Sequence, residues 1–387
     1  MMQNFDSLGL SAAIINSIQQ VGFTKPTPIQ EKVIPIALEG KDVIGLAQTG
    51  SGKTAAFCIP LSERLLHGEG LRGLILCPTR EIALQTKQFL DLFGQHHQLD
   101  TICIIGGVPF KPQLKDLSKN PDIIVATPGR LADHLEKGQV NLSKISQLVL
   151  DEADHMLDLG FLPQIREILQ QLPKERHTMM FSATMPSTIE RLAQQFLSNP
   201  VRVDILPENK TASGIDHRIY IVQPEDKKAC LLSLIHNEPG STLVFTQTKM
   251  DTDWICRVLE TEGQDVARIH SDRSQKERTH ALQGFREGSH RILVATAIAS
   301  RGIDVPSIQH VVNFEIPDTV EEYIHRAGRT ARAEELGTVS TIVTWAETLR
   351  IKDFEKHLGF ELPRCSTPGV EAYKEMVIKP FGRGRRR

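Results

Sequence analysis

An α/β chain of two tandem domains, each a mostly parallel sheet flanked by helices, is expected on three grounds. Short apolar strands recur along the whole length, each followed by a polar turn and an amphipathic helix, the pattern of parallel βαβ units. The 387 residues exceed one ordinary domain, so two cores are expected. Between two such rows, Leu206 to Gly214 (LPENKTASG) lacks periodicity and carries Pro207 and Gly214, as a linker would. The expected divisions are therefore 1–205, a linker at 206–214, a second domain at 215–362, and a short basic flexible tail at 363–387.

Along the first domain, Ser11 caps a helix whose Ile14, Ile15, Ile18 and Val21 form a core face. Gly22 to Gln30 (GFTKPTPIQ) is a proline-stiffened turn ending in an amide that can read an adenine edge. A strand at Val43 to Leu46 runs into Ala47-Gln48-Thr49-Gly50-Ser51-Gly52-Lys53-Thr54, a phosphate loop. Gly50 and Gly52 let backbone N–H groups approach phosphates, Lys53 reaches the outer ones, and Thr54 can ligate Mg²⁺ while opening a helix. Ala47 occupies the position of the loop's usual first glycine, which is tolerated if its φ stays negative.

Further strands are expected at Leu74 to Cys77, Ile102 to Ile105, Ile123 to Ala126, Leu148 to Leu150 and Thr178 to Phe181. The strand ending at Leu150 delivers Asp151-Glu152-Ala153-Asp154. Adjacent carboxylates there can hold Mg²⁺ with Asp151 and orient an attacking water with Glu152, so loop and carboxylates together read as a nucleoside triphosphatase. A guanine-specific site would need Asn-Lys-x-Asp, but Asn209-Lys210 is followed by Thr211-Ala212.

In the second domain the strands are Leu243 to Phe245, Val266 to Ile269, Ile292 to Ala295, His310 to Phe314 and Val339 to Val343. After a helix at Val320 to Ile324 comes HRAGRTAR, His325 to Arg332, with three arginines in seven positions. Like charges that dense call for an anion. Nearly every such group lies just beyond a strand, where open α/β sheets place ligand sites.

Several turns of both domains pair small or hydroxyl residues with an arginine: Pro78-Thr79-Arg80, Gly106-Gly107, Thr127 to Arg130, and Thr296. These suit close approach to a sugar-phosphate backbone. Aromatic residues make up 5% of the chain and few fall in these turns, so base stacking contributes little and binding should be blind to sequence.

The composition, 40% hydrophobic and 24% charged, is that of an ordinary globular protein, with no membrane-length apolar run and no signal-like start, so a cytoplasmic location is expected. Six scattered cysteines argue against a redox or zinc motif and for buried thiols, and adjacent His96-His97 read as loop residues. A net charge of −2 means that nucleic acid would be held by local patches, one being the tail with Lys379, Arg383, Arg385, Arg386 and Arg387.

Taken in order, these motifs resemble the DEAD-box RNA helicases of the bacterial type, over residues 5 to about 343. The resemblance implies two RecA-like domains that close around ATP, Mg²⁺ and single-stranded RNA. It implies that Phe5 stacks on adenine, Gln30 recognises it, and Asp304 holds the ribose. Arg329 and Arg332 become arginine fingers beside the catalytic Glu152, Lys53 and Asp151. Ser182, Thr184, Asp154 and His325 couple hydrolysis to strand separation, and Gln275, Arg278 and Thr296 join the RNA contacts of the first domain. Three positions depart from the pattern: Ser271, Ala297 and Ala331. The segment from Arg301 to His325 leaves no room for a wedge hairpin, so short duplexes should be pried apart locally rather than by long translocation. An ATP-gated RNA clamp and a DNA helicase are the alternatives, and protein recruiters are expected partners.

Overall fold

The computed structural model describes residues 4–48, 50–94, 99–205, 214–297, 308–330 and 336–367. The chain forms two compact units, each built round one seven-stranded sheet. The first sheet holds β1 (Val43–Ala47), β2 (Gly73–Leu76), β3 (Thr101–Ile104), β4 (Ile123–Ala126), β5 (Gln147–Leu150), β6 (His177–Ser182) and β7 (Val201–Ile205). Their order is β3-β4-β2-β5-β6-β1-β7, all parallel. The second sheet holds β8 (Ile215–Ile221), β9 (Thr242–Thr246), β10 (Val266–Ile269), β11 (Ile292–Thr296), β12 (His310–Asn313), β13 (Gly337–Val343) and β14 (Arg364–Cys365). Its order, β10-β11-β9-β12-β13-β8-β14, repeats the first strand for strand. Two units with unrelated sequences therefore share one winding, that of tandem RecA-like domains.

Alternation along the strands feeds both faces of the first sheet. Val43 and Ala47 of β1 pack with α1 (Ala12–Gln20), α2 (Pro28–Leu38), α3 (Lys53–Arg64) and α4 (Arg80–Gly94). Ile44 and Leu46 pack on the opposite face, with α6 (Pro128–Glu136), α7 (Ala153–Asp158), α8 (Leu162–Gln170) and α9 (Ser187–Phe196), while α5 (Phe110–Leu117) follows β3. Each fully buried Ile or Leu contributes about 1.5–3 kcal/mol, so both faces are strongly specified. In the second unit, α10 (Lys227–Asn237) and α11 (Lys249–Thr261) cover one face, followed along the chain by α12 (Gln275–Arg286), α13 (Val320–Ala327) and α14 (Thr348–Leu358).

Polar side chains tie the elements at chosen points. Ser11 Oγ accepts from the Ile14 N–H, capping α1, and donates to Glu63 Oε2 at 2.8 Å, which fixes α1 to α3. Ile14 and Ile18 are buried and Ile15 and Val21 pack against the same core. The buried Asp42 carboxylate accepts from the N–H groups of Thr178 and Ser198, each at 2.6 Å, and so sets the start of β1 beside β6. All six cysteines are free thiols, four of them buried.

All the strands expected from apolar runs are present, with ends moved by at most two residues. β7, β8 and β14 were not expected. Along β7 only Val203 is buried, so its pattern of single apolar residues gives no run to read. β14 lies within the stretch expected to be tail: Arg364–Cys365 pair with β8, and buried Thr367 shares a hydrogen bond with Cys230 Sγ at 3.2 Å. Among the described residues no helix is long and apolar enough to cross a membrane.

Candidate active site

The winding places three expected motifs side by side. β6 lies between β1 and β5, so the turn after β6 stands between the phosphate loop and the carboxylates. Ala47 ends β1 and does not belong to the few non-glycine residues of positive φ, which meets the condition its substitution imposed. The Gln48 carbonyl accepts from Ser51 N and Ser51 Oγ, while Gly50 (φ +84°) and Gly52 (φ +91°) turn the chain into α3. A Cβ on Gly52 would sit 2.5 Å from Gln30 Nε2, so the loop needs glycine there for space as well as for φ. Lys53 Nζ, almost wholly buried, donates to the Ala47 carbonyl at 2.5 Å and so stands over the loop. With Thr54 next on the first turn of α3, the loop presents N–H groups, a helix N-terminus and an ammonium to one place, an arrangement that suits phosphate. Thr49 lies outside the described residues.

The amide of Gln30 is used inside the fold. Its Oε1 accepts from Thr27 N–H at 3.0 Å and its Nε2 donates to the Gly52 carbonyl at 3.1 Å, which joins the proline-stiffened turn to the phosphate loop. Phe5, on a short 3₁₀ turn, lines a cavity of about 320 Å³ together with Phe23, Thr24 and Gly22. Asp304, the expected ribose ligand, lies outside the described residues.

Asp151 follows β5 directly and is 3% exposed. Burial, and next the neighbouring Glu152 charge, push its carboxyl up to about 7, while Lys53 pulls it down. Glu152 holds φ +47° and ψ +55°, a left-handed backbone that a non-glycine residue adopts at a cost of about 1–3 kcal/mol. Strain of that kind gathers where a side chain is being aimed. Its Oε2 lies 3.0 Å from Nδ1 of buried His155, whose ring N–H donates to it. His155 was not expected from the sequence, although it lies one turn beyond Glu152.

Asp154 joins α7 to the turn after β6. Its Oδ2 accepts from Ala183 N–H (3.2 Å), Thr184 N–H (2.9 Å) and Thr184 Oγ1 (2.9 Å), and its own N–H donates to Ser182 Oγ (3.3 Å). Asp154, Ser182 and Thr184, named separately from the sequence, thus form one hydrogen-bonded group.

The phosphate-backbone candidates of the first unit also converge. β4 lies between β2 and β3, which brings together Pro78 to Arg80, Gly106-Gly107 and Thr127 to Arg130. A Cβ on Gly107 (φ +72°) would lie 2.0 Å from Arg80 Nη1, so that guanidinium rests on the bare glycine backbone. Arg130 Nη1 donates to the Val108 carbonyl at 2.6 Å. Beneath this loop Gln113, 3% exposed, accepts from Ile105 N–H (3.0 Å) and donates to the carbonyls of Ile105 (3.3 Å) and Val108 (3.2 Å). Gln113 was not expected, because a glutamine in a charged amphipathic helix reads as solvent-facing.

Thr296 ends β11 in the second unit, while Gln275 and Arg278, on the first turn of α12, fall in a short segment, Arg273–Thr279, that groups with the first unit. His325 and Arg326 close α13, and Arg329 follows it, its N–H donating to the Arg326 carbonyl at 3.1 Å. The three arginines of that motif are not alike. Arg326 is buried, bonded to Glu322, Asn313 and the Glu315 carbonyl, with its guanidinium 4.9 Å from the Phe245 ring centroid, so it braces α13 against its own sheet. Arg332 and Ala331 lie outside the described residues. Of the other departures, Ser271 is exposed beside the Asp272–Lys249 ion pair and Ala297 follows β11.

Comparison with known proteins agrees with this geometry. The DEAD/DEAH box helicase family matches residues 27–192, and the helicase conserved C-terminal domain family matches residues 226–334. The DEAD-box ATP-dependent RNA helicase RhpA of Helicobacter pylori is 39% identical over 377 residues, covering 97% of this chain and 76% of its own. CshA of Bacillus cereus, with the same description, is 39% identical over 96% of this chain and 71% of its own. Among solved structures, S. cerevisiae Dbp5 bound to RNA and ADP BeF3 is similar with a TM-score of 0.84 and 30% identity, covering 94% of this chain and 96% of that one.

Proposed function

The chain belongs to the DEAD-box ATP-dependent RNA helicases, and from that premise we propose that it hydrolyses ATP when RNA is bound and separates short RNA duplexes locally, without regard to sequence. The observation that carries this reading is the Asp154 carboxylate, which accepts three hydrogen bonds from Ala183 and Thr184 beside the phosphate loop. A change at the nucleotide therefore has a short, fully bonded route to a turn outside it.

In this reading Glu152, aimed by its strained backbone and His155, takes the proton of the attacking water. Lys53 and the loop N–H groups hold the phosphates, and Arg329 and Arg332 meet the charge that develops on the transferred group. Phe5, Gln30 and Asp304 select adenosine. The hard oxygen donors Asp151 and Thr54 suit Mg²⁺, which takes one or two protein oxygens and completes its shell with phosphates and water. Bound there with ATP, Mg²⁺ would neutralise charge on the outer phosphates. Arg80, Gly106, Gly107 and Arg130 supply backbone contacts to RNA, with Thr127, Thr296, Gln275 and Arg278. Protein recruiters and a cytoplasmic setting complete the proposal.

Multiple-turnover unwinding of labelled duplexes of increasing length tests it. Separation that needs ATP and falls steeply with duplex length is expected. Trapping of single strands without turnover would mark a clamp instead, and equal stimulation by DNA would remove RNA as the dedicated partner.

A further inference from the structure

Phe110 begins α5, three residues beyond Gly107, and two cations lie over its ring. The Arg130 guanidinium carbon is 4.5 Å from the ring centroid and the Lys137 ammonium is 3.8 Å from it. The ring of wholly buried His134 packs against Phe110 with centroids 4.7 Å apart. Burial pushes His134 below its ordinary range, and the charges of Arg130 and Lys137 add to that, so the ring favours its neutral form and adds no third positive charge.

The charge at this spot is unbalanced. Arg130 has one carboxylate near it, Asp133, at 3.6 Å and half exposed. Among the described residues Lys137 has none, although it is exposed and could reach into water. A π face offers an exposed cation only about 0.5–1 kcal/mol, and here one ring holds two like charges while Arg80, at the start of α4, rests against nearby Gly107. Like charges gathered this way are relieved by a polyanion, and they adjoin the glycine backbone assigned above to RNA.

We propose that Lys137 is a further contact to an RNA phosphate, continuing the path of Arg80 and Arg130, and that Phe110 is a positioning residue which holds both cations at the spacing that path requires. The inference rests on the RNA-acting reading of the first unit. It adds a lysine at the far end of α6 and an aromatic that touches no base. Phe110 acts through its π face, so tyrosine serves in its place and leucine does not.

The test is the RNA concentration for half-maximal ATPase of the full chain, measured with oligouridylate across about 50–200 mM KCl. Lys137→Ala should raise that RNA concentration and make its log–log salt dependence shallower by about 0.7, one phosphate contact on a single strand. Phe110→Leu should flatten it at least as much, Phe110→Tyr should match the parent chain, and Lys137→Ala added to Phe110→Leu should change nothing more. Thermal melting shows whether Phe110→Leu is folded, and Lys137→Ala decides the matter if it is not. An RNA-dependent parent whose salt slope survives Lys137→Ala overturns this inference alone. A parent whose ATPase ignores RNA overturns the RNA reading, and this inference with it.

Discussion

Thr184 Oγ1 donates to Asp154 Oδ2 at 2.9 Å, linking the turn beyond β6 to the helix that follows Glu152. Asp154 Oδ2 accepts from Ala183 and Thr184 of that turn while Oδ1 accepts from the His155 N–H, so one carboxylate bonds both the turn and α7. Replacing Ser182 and Thr184 by alanine removes two hydroxyls but leaves the backbone N–H donors to Asp154 in place. ATPase activity should persist while duplex separation is lost, measured side by side on one preparation. Survival of both activities would show that the hydroxyls carry no coupling.

Glu152, the proposed general base, holds a left-handed backbone. Glu152→Ala and Glu152→Gly should both abolish hydrolysis. The glycine variant should be more stable than the alanine variant by about 1 kcal/mol, because only glycine relaxes at that φ. Urea unfolding of the two variants reads the difference, and equal midpoints would mean that the strain is not stored there.

Gln113 holds the Gly106-Gly107 loop from below, outside any motif. Gln113→Ala leaves the Ile105 N–H and the Val108 carbonyl without it, at a stability cost of about 1–3 kcal/mol. The RNA concentration for half-maximal ATPase should rise several-fold with the KM for ATP unchanged. An unchanged RNA requirement would place Gln113 among purely structural groups.

His310 and His217 of the second unit are both held down to about 4 by burial, His310 with Nε2 2.8 Å from Ser340 Oγ. Unfolded histidine titrates near 6.5, so the folded state binds fewer protons between about 6.5 and 4. Stability is then full above 6.5 and falls as pH drops through that window, by about 2 kcal/mol per histidine at pH 5. His310→Gln should flatten the acid limb of a melting-temperature profile by one such share. An unaltered limb would show that His310 does not govern it.

The parts of this molecule that could be read from its sequence were those written as local runs. Leu148 to Leu150 followed by two acids, and Val43 to Leu46 followed by a glycine loop, announce a strand and its site together, and the winding then brings them within reach. Edge strand β7 was hidden because it buries one residue, and β14 because two residues make no pattern. Gln113, His155 and Phe110 were hidden for a different reason. Gln113 and Phe110 act by what they touch beyond their own helix, where a glutamine or phenylalanine has a bland local explanation, while His155 meets Glu152 one turn away and stands outside the paired-carboxylate pattern. The three arginines of HRAGRTAR looked equivalent, yet packing against Phe245 and Asn313 commits Arg326 to the scaffold.

If hydrolysis requires both bound RNA and Arg329, as proposed, turnover must fall when either is taken away. Steady-state ATPase of the full chain, with and without saturating single-stranded RNA, for the parent and for Arg329→Ala, tests it most directly. Strong RNA stimulation of the parent and a loss of about 10³ or more in turnover for the variant, with ATP still bound, are expected. A variant that hydrolyses ATP at the parent rate, or a parent indifferent to RNA, would contradict it.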